Sequence, residues 1–461
     1  MSSILHQNIK VIRMLAFTTF FLFSFINYFN FDASILLYLI FTFVSFLCLK
    51  KIFDFQNSFG FIMISTLVLL GFWFKFSTVI IFFDSDFGEG VGYFDFSRDE
   101  INSVLIVSII FKLSLLFSYY VFKKFNIKEY QLSFENIEIL FFRRLLLYIS
   151  LILIFILFIC FVNFTNKIFV RTFEFNQNYF LLKDFFKLFF KILAPFLIYF
   201  FLDLIFKFNK DKENSFFYIF ILIFVLNVIY ASQLSREVGI HILIIIYSFL
   251  LIKEKNLTEN VKKFYGLLII SFILCFIASL NSIQLLRALT VLEPLMDTKN
   301  FVGDIITNVN SNNIALFINR WVGIDAVMAI VSSNEKGWEL LLNISNNQIN
   351  WTTEVAWPMT EYFQDKVHVN TPGPAAFLYS SGSFIFLFFL SFIIFFFFFI
   401  LETFIILINK NFLLASNFLI FILAYRIMHI GLGINNLIYF ILAILLIVFF
   451  LIIVNQLLKF K

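Results

Sequence analysis

Charge is scarce in this chain. Only 14% of its 461 residues are Asp, Glu, Lys or Arg, while 61% are hydrophobic, against about 25% charged and about 45 to 50% apolar in soluble globular domains. That balance excludes an ordinary water-soluble fold. Cysteine is nearly absent, and Cys48, Cys160 and Cys275 all fall inside apolar runs, so neither a disulfide framework nor zinc-ligand spacing is available. The four histidines, His6, His241, His368 and His429, form no HExxH or HxxxH pattern, which removes the common metal-hydrolase motifs and leaves no metal or cofactor to expect. A formal charge of +5 is small for this length, and no nucleic-acid partner is expected. The 76 phenylalanines accompany many Ile, Asn and Lys; this is the bias of an AT-rich coding sequence and carries no functional weight.

What is present is a series of long apolar runs. A membrane-crossing helix needs about 20 mostly apolar residues, or about 17 at the short end. By that rule about twelve spans are predicted, near 14–29, 34–49, 59–83, 101–122, 145–164, 185–206, 216–234, 238–252, 265–283, 383–408, 411–428 and 434–457. The expected fold is all-α and polytopic. Lys10 and Arg13 precede the first run and no small-residue cleavage site follows, so this run reads as a retained span. Lys and Arg cluster in alternate connections, among them Lys50, Lys51, Lys123, Lys124, Arg143, Arg144, Lys207 and Lys253. Cytoplasmic connections carry such an excess, which puts both termini in the cytoplasm.

One interval breaks the apolar pattern. Residues 282–382 hold four of the five Trp (Trp321, Trp338, Trp351, Trp357) and four of the five Pro. The predicted organisation is spans one to nine over 1–283, a large extracytoplasmic loop or cap over 284–382, and spans ten to twelve over 383–461. Inside the loop, residues 326–331 are apolar with helical period, and Asp325 stands at their start with Arg320 and Trp321 just ahead. Further on come Glu354, Trp357 and His368. Acids or a histidine beside flat aromatic rings suit sugar chemistry, which needs a base for a hydroxyl proton and apolar faces for the rings. The same tryptophans would equally pack a small core of the loop itself or sit at headgroup level.

Ionisable groups inside spans cost about 2.5 to 3.5 kcal/mol each on insertion scales. Lys183, Lys187 and Lys191 recur every fourth residue into span six, one helix face, either snorkelling to headgroups or forming a slot for an anionic lipid headgroup. Arg236 precedes an apolar run of only about 13 residues, about 20 Å of helix, which sets it below the outer surface. A guanidinium there would grip a phosphate bidentately or pair internally with Glu237. Arg426 and His429 share a face near the outer end of span eleven, and Arg287 and Arg320 join them as candidates for holding a diphosphate or glycan. Lys75, Lys112 and Glu402 also lie within spans, with partners that sequence cannot assign.

The chain resembles the O-antigen polymerase (Wzy-type) group and, more distantly, the O-antigen ligases. The resemblance is carried by the span number, by Ser235 and Arg236 leading straight into a span, and by a late outer loop ending in His368, Asn370 and the glycines Gly373 and Gly382. The segment Asn319, Arg320, Trp321, Val322, Gly323 contributes as well. It implies a glycosyltransferase in the bacterial inner membrane, with the large loop periplasmic. Donor and acceptor would be undecaprenyl-diphosphate-linked oligosaccharide repeat units, with a chain-length regulator and a flippase as further partners beside membrane lipid. It also implies that Arg236 matches the family's arginine, holding the diphosphate, with Glu354, Asp325 or His368 as base. His368 with Asn370 departs from the ligases' adjacent His-Asn, because Val369 intervenes. Three other readings stand beside this one. They are an O-antigen ligase, a polyprenyl-phosphate-sugar glycosyltransferase of the GT-C type (prompted by Asp84 and Asp86), and a lipid-linked glycan flippase.

Overall fold

A computed structural model describes residues 2–29, 34–54, 57–82, 97–125, 142–170, 180–208, 215–233, 241, 244–248, 266, 268–271, 273–274, 321–333, 335–346, 373–408, 412–428, 441–449 and 452. All regular structure among them is helical. Among the described residues, seven helices are long and apolar enough to cross a membrane. These are Lys10–Phe29, Ile35–Ile52, Phe59–Phe82, Arg98–Lys124, Leu147–Asn166, Phe185–Ile205 and Phe384–Ile408, with Phe217–Ser232 and Leu413–Ile427 apolar but shorter. Nine of the expected spans thus fall on helices. The other three, near 238–252, 265–283 and 434–457, lie largely outside the described residues.

We number the helices α1 (Ser2–Phe29), α2 (Ile35–Ile52), α3 (Phe59–Phe82), α4 (Arg98–Lys124) and α5 (Phe142–Asn166). Next is α6, which runs from Phe180–Leu188 through Phe189–Leu193 to Ala194–Phe208, and then α7 (Ser215–Ser232). Last come α8 (Ile324–Ser332), α9 (Trp338–Ser345), α10 (Gly373–Tyr379), α11 (Phe384–Ile408) and α12 (Leu413–Ile427). The chain divides into two units. The first comprises Met1–Glu129, Asn313–Thr403 and Leu423–Tyr439, and the second comprises Tyr130–Asn312, Phe404–Ile422 and Phe440–Lys461.

In the first unit α3 is the central helix. Of its apolar window 83% is buried, against 17% for α1 and 28% for α11, so α1 and α11 form the rim. Their outward side chains, such as Phe25, Phe29 and Phe397, are exposed hydrocarbon of the kind that lipid covers. Helices α2 and α4 pack on α3 and on each other, with Phe61 stacked on Tyr119 and Phe111 against Phe72 and Phe395. In the second unit α6 packs on α7, and α7 on α5.

Of the long interval, residues 321–333, 335–346 and 373–382 are among those described. Helix α8 is buried along nearly its whole length and packs on α4, on α3 and on α10. Its sequence explains this: Ile324, Ala326, Val327, Met328, Ala329, Ile330 and Val331 are apolar on every side, and a helix hydrophobic all round belongs in an interior. At 9 residues it is too short for the length criterion of a span, which hides it within a polar interval.

Candidate functional site

Helix α3 is α-helical over Phe59–Val68, widens to a π turn over Leu69–Phe74 and returns to α-helix at Lys75. Such turns are commonly found where a helix serves a function. Here it brings the α3 backbone against the residues that lead into α8. A β-carbon on Gly71 would stand 2.1 Å from the Val322 carbonyl oxygen, and one on Gly323 would stand 2.2 Å from the Gly71 carbonyl oxygen. Only glycine fits at both places. Gly373 has a positive φ of 65° and packs on Val322 and the Met428 carbonyl.

That approach brings two charges together. Lys75 Nζ lies 2.9 Å from Asp325 Oδ2, with both side chains fully buried, and donates to the Trp321 carbonyl at 3.2 Å. Asp325 stands in the first turn of α8, where a carboxylate also meets the helix dipole favourably. The lysine that sequence left without a partner is therefore neutralised by an acid of the long loop. Trp321 itself is buried.

The other in-span charges also find partners. Glu402 accepts from Gly60 N at 2.6 Å and from Ser58 Oγ at 2.9 Å, closing the N-terminus of α3. Lys112, fully buried in α4, donates to Ser45 Oγ at 2.7 Å and lies 3.7 Å from the centroid of the Phe41 ring. Among the described residues no carboxylate pairs with it. Arg426 is half-buried beside the Tyr425 ring.

In the second unit the lysine ladder passes from half-exposed Lys187 to buried Lys191. It crosses a second π turn, Phe189–Leu193, so the even four-residue spacing read from sequence does not persist as one straight α-helical face. Lys183 lies in α6, and its side chain is outside the described residues. Arg236, Arg287, Arg320, Glu354, Trp357, His368, Asn370 and His429 lie outside them too, as do Asp84 and Asp86.

Two arrangements in the second unit escaped sequence reading. Asp203, buried in α6, accepts from Leu414 N at 3.1 Å and Ala415 N at 2.9 Å, capping α12. A lone acid in an apolar run was its available signal. His241 lies between two tyrosine hydroxyls, Tyr199 at Nδ1 (2.9 Å) and Tyr230 at Nε2 (2.5 Å), with all three rings buried. Nothing in local spacing announces that grouping.

No family model, curated protein or solved structure matches this chain.

Proposed function

We propose that the chain is a glycosyltransferase that joins polyprenyl-diphosphate-linked oligosaccharide repeat units on the outer face of a bacterial inner membrane, as the O-antigen polymerases it resembles do. The observation that carries the reading is the docking of residues 321–325 onto α3 through Lys75 and Asp325. Loop and spans there are one structure, as a reaction on a membrane-anchored donor requires. In this reading the acceptor hydroxyl attacks the anomeric carbon of the donor, its proton passes to a base, and the bond to the diphosphate breaks. Arg236 holds the departing diphosphate, assisted by the lysines of α6 and by Arg287. Asp325, occupied by Lys75, positions the loop, while Glu354 or His368 takes the proton and Trp357 faces the sugar.

The test is elongation of lipid-linked repeat units by the purified protein in vesicles. A ladder of products is expected from the wild type, with Arg236→Ala slower by about 100-fold or more, the loss typical when a charge-stabilising donor is removed. Unimpaired elongation by Arg236→Ala, or no product beyond one repeat from the wild type, overturns the reading. One observation favours a second reading, a lipid-linked glycan flippase: Lys112 sits deep in α4 without a carboxylate among the described residues. Transfer of a labelled lipid-linked sugar between leaflets without elongation would select it.

A further inference from the structure

We propose that α9 lies on the bilayer itself, with Trp338 and Leu342 set into the boundary between lipid headgroups and acyl chains. The proposal rests on the multi-span architecture and not on the glycan reading.

Helix α9 has two faces. Leu340, Leu341 and Ile344 are buried, whereas Trp338 and Leu342, one turn apart, are 55% and 56% exposed. Leaving such side chains in water forfeits the stabilisation that removing apolar surface from water gives. What covers them follows from their neighbour. The Trp338 ring meets the Phe386 ring edge-on at 4.6 Å between centroids, and Phe386 belongs to the first turn of α11. On the same turns Ile385 and Phe389 are 72% and 59% exposed, on the rim of a 25-residue apolar span. The exposed patch of α9 is thus continuous with a surface that lipid must cover.

The level of the patch is fixed as well. Gly337 N donates to the Ser380 carbonyl at 2.8 Å, and Ser383 Oγ accepts from Phe386 N at 3.2 Å, which ties the start of α9 to the start of α11. Lys336 lies close enough to Glu100 for that charge to act on it, and Glu100 closes the N-terminal capping box of α4 with Ser97. The ends of two spans and α9 therefore share one level. At that level tryptophan is enriched, because an amphipathic ring fits between apolar chains and water. The exposed charges Glu335, Lys336 and Glu339 supply the watery side.

The test uses the full chain reconstituted in phosphatidylcholine vesicles. With Trp73, Trp321, Trp351 and Trp357 replaced by Phe, Trp338 fluorescence should be quenched several-fold more by lipid brominated at carbons 6 and 7 than by lipid brominated at carbons 11 and 12. Aqueous acrylamide should quench it weakly. Strong acrylamide quenching with no effect of bromine overturns the proposal. Because Trp73 and Trp321 are buried and their replacement can unfold the chain, Leu342→Cys carrying a nitroxide gives a second measurement. Oxygen should relax the label more than a water-soluble nickel chelate does. The reverse order, or protection from both with dipolar broadening from a second copy, overturns it.

Discussion

The ammonium of Lys75 and the carboxylate of Asp325 meet at 2.9 Å with no exposure of either side chain, joining a central span to a helix of the long loop. Removing one partner of a buried pair typically costs about 3 to 5 kcal/mol, because the other charge is stranded, whereas replacing both by apolar residues of similar size is far milder. Lys75→Met and Asp325→Leu alone should each lower the thermal midpoint of the detergent-solubilised protein sharply. The double variant should recover much of the loss. A double variant worse than either single one would mean that the pair is not coupled as described.

The glycine contact yields a sharper contrast. A methyl group on Gly71 meets backbone atoms of residue 322, whereas one on Gly266, also in a helical stretch, meets nothing within 4 Å. Gly71→Ala should cost about 3 kcal/mol or more, at or beyond the usual range for overpacking. Gly266→Ala should be neutral or stabilise by about 0.5 to 1 kcal/mol, as expected when helical glycine is replaced. Unfolding midpoints of the two variants, measured side by side, decide the matter.

Lys112 makes the opposite prediction. Its ammonium is held by the Ser45 hydroxyl and the Phe41 ring, without a carboxylate among the described residues, so its burial is poorly compensated. Lys112→Met should leave stability unchanged or raise it by about 1 kcal/mol or more. If that variant is as stable as the wild type but loses transfer or translocation activity, the lysine is retained for function. A loss of stability would instead make the cation a structural element.

Lys336 carries the pH prediction. Burial pushes its ammonium below the ordinary lysine range, and the nearby Glu100 carboxylate partly restores it. A lysine whose folded pKa is depressed favours folding in its neutral form, so its contribution to stability improves as pH rises through that depressed value toward the unfolded one. The effect on stability is small because the group is largely exposed to solvent. Amine labelling followed by mass spectrometry should show Lys336 reacting at lower pH than the lysine of a short unstructured peptide does, and Glu100→Gln should move it lower still. An unchanged profile in Glu100→Gln would rule out the charge coupling.

The positions of the nine expected spans that fall on described helices were legible in sequence because hydropathy over about 20 residues is a local property. Residues 326–331 also announced the helix α8 by their period. Its burial was not legible, since averaging over a polar interval masks a short apolar segment. The partners of Lys75 and Glu402 were beyond reach for a different reason. Each comes from a segment more than 200 residues away in the chain, and no local pattern encodes such a pairing. Of the candidate site, sequence named Asp325 and Lys191 as charges, but neither the aspartate's ion pair nor the lysine's place in a π turn was evident. The grouping of Tyr199, Tyr230 and His241 arises only when helices assemble.

The π turn at Leu69–Phe74 has a consequence for how the chain tolerates change in length. A π turn amounts to one extra residue accommodated within an α-helix. Deleting a single residue there would let the helix close to regular α geometry while Lys75 keeps its phase and its place opposite Asp325, because the extra residue is already absorbed within the turn. The same deletion in the regular α-helical turns of Phe59–Val68 would rotate the two parts of the helix by about 100° relative to one another and shorten it by about 1.5 Å. The π turn is therefore where the central helix can lose a residue and keep its hold on the loop, whereas the turns before it cannot.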